Sequence, residues 1–170
     1  MNEKFIIASL AVSTTILSIL GLVRTSSATA LDINCNTTSD IPKVVARIEG
    51  SKNKQTEVLS FLTEYFSAEK AQQNCEAAAN TLQTLYSEKD INYLASDTID
   101  ELPVVCAVER RGIGCDSYGA EILFTLDRQV NPAIALYNML GKDFKRSQLP
   151  DSRTVSRIYT DLNFDWLWPF

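Results

Sequence analysis

The stretch INYLASDTIDELPVVCAV, residues 91–108, decides the fold. Two β-branched and apolar runs flank the short polar break IDE, and in the second run Val104, Cys106 and Val108 share one face by the two-residue period of a strand. That is a β-hairpin, and the rest of the chain is read outward from it. Upstream, KVVARI (43–48) and EVLSFLT (57–63) are short strands around the turn-forming EGSKNKQ, although so short a run as the second also fits the start of a helix. Downstream, the glycine-rich ERRGIGCDSYG leads into AEILFTL (120–126), a further buried strand. Two helices interrupt the strands. Ser67 caps AEKAQQNCEAAANTLQTLYSEK, with Glu69 in the first turn and Ala71, Cys75, Ala78, Ala79, Leu82, Leu85 and Tyr86 on one face. NPAIALYNMLG carries Asn131 as cap, Pro132 at the first helical position and Gly141 just past the end. A last strand is read in SRIYTDLNF (156–164). The expectation is an α+β fold: a mainly antiparallel sheet with one long and one short helix on one face.

The first thirty residues read as an export signal. Lys4 precedes an uncharged apolar run over 5–23, and Ala28 and Ala30 in TSSATA satisfy the small-x-small rule for cleavage after Ala30. An uncleaved anchor is the alternative reading of that run. The domain is then expected over 31–163, with 164–170 as an aromatic extension. Removing Lys4, Arg24 and Glu3 leaves 14 basic and 20 acidic side chains, a balance that disfavours nucleic acid because phosphate binding needs clustered positive charge. The one basic strip, 142–157, holds Lys142, Lys145 and Arg146; with Phe164, Trp166, Trp168 and Phe170 beyond it, it is the candidate contact with a protein or membrane surface.

Four cysteines, Cys35, Cys75, Cys106 and Cys115, in an exported chain read as two disulfides, with three pairings open. The inward-facing Cys75 and Cys106 favour each other, leaving Cys35 for Cys115. With no histidine in the chain, the commonest general base and the usual zinc patterns are missing. Ser67 and Lys70 have the S-x-x-K spacing of a nucleophilic serine, a string that recurs at Ser51 and Lys54, and a helix cap is the ordinary reading. Asp97, Asp100 and Glu101, with Asp116, are weak calcium candidates that lack the EF-hand order. No cofactor is expected, and no catalytic residues are assigned.

The ordered set CNTTSDIPKVVARI, EVLSFLTEYFS, NCEAAANTLQTLY, INYLASDTIDELPVVCAV, GIGC, EILFTLDRQVNPAIALYNML and RIYTDLN resembles the cyanobacterial circadian-oscillating-polypeptide family over residues 35–162. Asn74 stands where that family usually has arginine before the helix cysteine. The resemblance implies an exported protein of the periplasm, thylakoid lumen or medium, peripheral on a membrane or free of it, with no catalytic residues to carry over. The function expected is a non-catalytic binding module. The alternatives are a small hydrolase-like enzyme and a calcium-linked structural module.

Overall fold

The computed structural model describes residues 31–48, 55–88, 91–145, 157–162 and 164. The signal-like residues 1–30, the C-terminal residues 165–170 and most of the basic strip lie outside them. Seven strands and two helices follow in the order β1 (Leu31–Asn36), β2 (Lys43–Ile48), β3 (Gln55–Ser60), α1 (Ala68–Glu88), β4 (Tyr93–Ile99), β5 (Leu102–Val108), β6 (Glu121–Thr125), α2 (Pro132–Met139) and β7 (Tyr159–Asp161). The fold is α+β and every strand pair is antiparallel, but the strands form two sheets: β1-β2-β3 and β6-β5-β4-β7. The expected α+β, mainly antiparallel architecture is observed, with its strands divided between two sheets. Strands adjacent in sequence pair within each sheet, except that β7 returns beside β4 after α2, and α1 carries the chain from the first sheet to the second, so strand order in sequence could not reveal the split.

The expected hairpin pairs Tyr93 with Val108 through to Ile99 with Leu102. Its two-residue turn, Asp100 and Glu101, has φ of 49° and 64°, the left-handed pair whose twist matches that of the flanking strands. The run over 57–63 is a strand and not a helix start, shifted to Gln55–Ser60. β1 was not foreseen, although Leu31, Ile33 and Cys35 alternate with Asp32, Asn34 and Asn36 as a half-buried strand should. As an edge strand it exposes unpaired backbone groups, a liability for edge pairing. Gln83 of α1 covers them: the Ile33 N–H donates to its Oε1 at 2.6 Å and its Nε2 donates to the Leu31 carbonyl at 3.2 Å.

Both helices line one core. Ala71, Cys75, Ala78, Ala79, Leu82 and Leu85 of α1 meet Ala135, Leu136 and Met139 of α2, together with Val44, Val58 and Leu59 from the first sheet and Leu94, Val105 and Ala107 from the second. Phe61, Phe66 and Phe124 stack edge-on or tilted inside it, with centroids 5.1–5.8 Å apart, an arrangement aromatic quadrupoles favour. Val104, Cys106 and Val108 face the other way and build a second, smaller core with Ala95 and Cys115, partly covered by Ile113, Ala120 and Tyr159. The second sheet is therefore buried on both faces, by helices on one and by the 109–120 loop on the other.

The caps of α2 match expectation: Asn131 accepts from the Ala133 and Ile134 N–H groups at 3.0 and 3.1 Å, with Pro132 at the start. Gly141 follows the helix for a different reason than a left-handed cap. Its N–H donates to the Val58 carbonyl at 3.0 Å, locking the post-helix chain to the β3 edge, and a Cβ there would sit inside the Glu57 carbonyl. Gly141→Ala should therefore cost about 3 kcal/mol through forced backbone displacement, whereas Gly119→Ala, with nothing within 4 Å of its added carbon, should stay within about 0.5 kcal/mol of the parent. Denaturant midpoints of the two variants check the contrast.

Candidate functional site

Alternation along β5 sends Cys106 away from the helices, and this sets the sulfur chemistry. Cys75, on the buried stripe of α1, bonds Cys35 of β1 across a Cα separation of 5.6 Å, while Cys106 bonds Cys115 of the covering loop at 5.7 Å. The expected pairs Cys75–Cys106 and Cys35–Cys115 are thus corrected, because the second sheet stands between Cys75 and Cys106. All four cysteines are bonded, so none offers a thiolate. In the chain-entropy account, loops of 40 and 9 residues stabilise by at most about 4 and 2.5 kcal/mol.

Around Cys115 the loop is held at several points within three residues. Asp97 of β4 has a side chain only 7% exposed. Its Oδ2 accepts from the Cys115 N–H at 3.0 Å and pairs with the Arg157 guanidinium, and its Oδ1 accepts from the Thr98 N–H at 2.8 Å. The Tyr159 hydroxyl donates to the Ile113 carbonyl at 3.0 Å. Gly114 lies between these groups: a Cβ on it would come to 3.1 Å from both the Arg157 Nη2 and the Asp97 Oδ2, and would collide with Asp116. Burial pushes the Asp97 carboxyl up, but the hydrogen bonds from Arg157, Cys115 and Thr98 and the arginine's charge outweigh it and hold the group below its ordinary range. Arg157 is raised in turn, chiefly by its bond to Asp97.

With residues 113–115 fixed, the loop projects two exposed lobes, Glu109–Arg110–Arg111–Gly112 and Asp116–Ser117–Tyr118–Gly119. Gly112 takes φ of +91°, a left-handed turn suited to glycine. Arg111 lies 5.8 Å over the Tyr93 ring, and Tyr118 is fully exposed. Beside the first lobe an open groove of about 460 Å³ runs between Tyr86, Ile91, Tyr93 and Arg110, reaching Leu162 and Phe164.

The structure distributes the residues singled out from sequence. Phe164, expected as an outward contact, is 5% exposed and meets the Tyr86 and Phe144 rings edge-on at 6.0 and 5.7 Å, so it belongs to the core. Lys145 folds back on α2, donating to the Asn138 carbonyl at 3.1 Å with its ammonium 5.6 Å over the Tyr137 ring; Lys142 is exposed. Arg146, Trp166, Trp168 and Phe170 lie outside the described residues. Asp97 is engaged by Arg157 and two amides while Asp100 and Glu101 form the hairpin turn. Among the described residues no three or more His, Cys, Asp or Glu gather as a group that could hold a metal ion. Ser67 stands at the start of α1, its Oγ 3.4 Å from the Lys70 N–H. The loop lobes and Arg157 were missed; ERRG and DSYG read only as turn composition.

The Asp97 clamp has a pH signature. Its folded carboxyl titrates below the unfolded value of about 3.9, so its stabilisation is fully present above that value and is lost as pH falls through the lower folded one. Asp97→Asn should lower stability at pH 7 by about 1–3 kcal/mol, tempered by the 41% exposure of Arg157. It should also flatten the loss of stability as pH falls below the unfolded value of about 3.9. Urea titrations of both proteins across that range check it.

A family model described as circadian oscillating protein COP23 matches residues 33–165. No curated protein and no solved structure matches.

Proposed function

Because the chain belongs to the circadian oscillating protein COP23 family, we propose that it is a non-catalytic, extracytoplasmic binding module whose contact surface is the two-lobed loop at 109–119. The observation that carries this reading is the contrast within one short segment. Residues 113–115 are immobilised by a disulfide, a buried carboxylate and a tyrosine hydroxyl, while Arg110, Arg111 and Tyr118 on either side stand in solvent. Arginine and tyrosine are the side chains that dominate protein–protein hot spots. A loop fixed in advance loses little entropy on binding, so its contacts translate more fully into affinity. The reactive side chains support the non-catalytic part: the sulfurs are oxidised, and the buried carboxylate of Asp97 is held by an arginine and two amides.

The extracytoplasmic address rests on two disulfides, which persist in oxidising compartments, and on the signal-like residues 1–30. No helix among the described residues is long and apolar enough to cross a membrane. The partner is read as a protein because the exposed lobes offer an aromatic and a forked cation and no apolar face for acyl chains.

Immobilised protein should capture a discrete envelope protein from its source. Arg110→Glu and Tyr118→Ala should each weaken that capture about tenfold or more with melting temperature unchanged. Capture that is indifferent to both substitutions would remove the loop as the contact surface. Co-flotation with anionic vesicles in place of protein capture would assign the surface to the membrane.

A further inference from the structure

Glu109, Arg110, Arg111 and Gly112 are consecutive exposed residues, and two of them are arginines. The chain is held on either side of them. The Asn92 Nδ2 donates to the Glu109 carbonyl at 3.1 Å, and past Gly112 the Ile113 carbonyl and the Cys115 N–H are bound by Tyr159 and Asp97. Between these anchors the lobe is closed by the Ile113 N–H on the Arg110 carbonyl at 3.5 Å, beyond the usual reach of about 3.2 Å for such a bond. We propose that the Arg110–Arg111 bond is a site of limited proteolysis by an arginine-directed endopeptidase. A single cut there yields two segments still joined by Cys106–Cys115 and switches off the contact lobe; the switch rests on the binding role proposed for that lobe.

A folded chain is cut where a few exposed residues can open at little cost, and the rate tracks the population of the opened form. Other exposed basic residues sit in firmer backbone. The turns that carry Arg128 and Lys142 are closed by shorter bonds, from the Val130 N–H to the Asp127 carbonyl at 2.9 Å and from the Phe144 N–H to the Gly141 carbonyl at 3.0 Å. Lys70 lies within α1 and Arg47 within β2. In the lobe itself the Arg111 guanidinium rests over the Tyr93 ring, which leaves the exposed Arg110 for the acidic specificity pocket of such an enzyme. Hydrolysis adds water across the amide: the hydroxyl goes to the Arg110 carbonyl carbon and the proton to the Arg111 nitrogen, with nothing oxidised or reduced. The halves stay together, because the disulfide spans the cut and because β6 and β7 of the second segment remain paired with β5 and β4 of the first. The lobe does not survive: its closing bond is lost, a carboxylate appears beside the Arg110 guanidinium, and the fixed geometry that favours binding is gone.

Brief digestion of the folded, oxidised protein with trypsin, read by intact mass, tests the site. Cleavage between Arg110 and Arg111 should run about tenfold or more faster than cleavage after Arg128. The product should be heavier by one water before reduction, keep its far-ultraviolet dichroism, and separate on reduction into a fragment ending at Arg110 and one beginning at Arg111. Arg110→Gln should slow the appearance of that fragment pair about tenfold or more while cleavage after Arg128 is unchanged. Gly112→Ala, strained at a φ of +91°, should speed it several-fold by favouring the opened lobe. The nicked protein should then capture the loop's partner about tenfold or more weakly than the intact one. Equal cleavage after Arg128, halves that part without reduction, or undiminished capture by the nicked protein would overturn the proposal. An intact protein that captures nothing would overturn the binding reading and the switch with it, while the masses judge the cleavage site on their own.

Discussion

The pleat of β5 is the constraint from which the rest of the structure follows. Val105 and Ala107 turn to the helices, and Val104, Cys106 and Val108 turn to the loop, because successive side chains in a strand point to opposite faces. A sheet with apolar residues on both faces must be covered on both. Helices α1 and α2 cover one face, and the 109–120 loop, too short and too glycine-rich for a helix, covers the other. The loop cannot supply a large apolar surface of its own, so covalent and ionic ties complete what its few apolar side chains begin. Cys106–Cys115, the Asp97 carboxylate and the Tyr159 hydroxyl all converge on Ile113, Gly114 and Cys115.

The same logic holds at the other end of the molecule. The edge strand β1 is tied to α1 by Cys35–Cys75 and by the Gln83 amide. The β3 edge is closed by the Gly141 backbone and by a bridge between Leu59 and Leu140. Each disulfide thus fastens a covering element to the sheet beside it, and neither joins the two sheets to each other. A framework built this way leaves polar and charged side chains exposed on the loop lobes and along the groove.

Much of this was legible in the residues. The hairpin over 91–108, the α1 stripe with its Ser67 start and the Asn131–Pro132 opening of α2 are local patterns, and local physics decides them. What escaped was non-local. Nothing in the order of strands shows that β3 ends one sheet and β4 begins another. Cys75 and Cys106 both read as inward, which is true of each, but inward has two directions when a sheet is buried on both faces. The Asp97–Arg157 pair joins residues from distant parts of the chain, and Asp97 therefore passed for a member of an acidic turn. β1 carries the alternation of a strand over six residues directly after the signal-like segment, where the sequence reading assigns no strand. Of the residues sought as contacts in the aromatic end, Phe164 serves the core, while the exposed Arg110 and Tyr118 of the proposed surface lie in a segment whose composition said only turn.

Disulfide mapping tests the central claim most directly. Under non-reducing, alkylating conditions trypsin cuts after Lys43, Lys70, Lys89 and Arg110 or Arg111, placing every cysteine on its own peptide. The account predicts two cross-linked species, one joining the Cys35 and Cys75 peptides and one joining the Cys106 and Cys115 peptides. A species joining Cys75 to Cys106 would contradict it, since those sulfurs could meet only if β5 faced the helices with its other side.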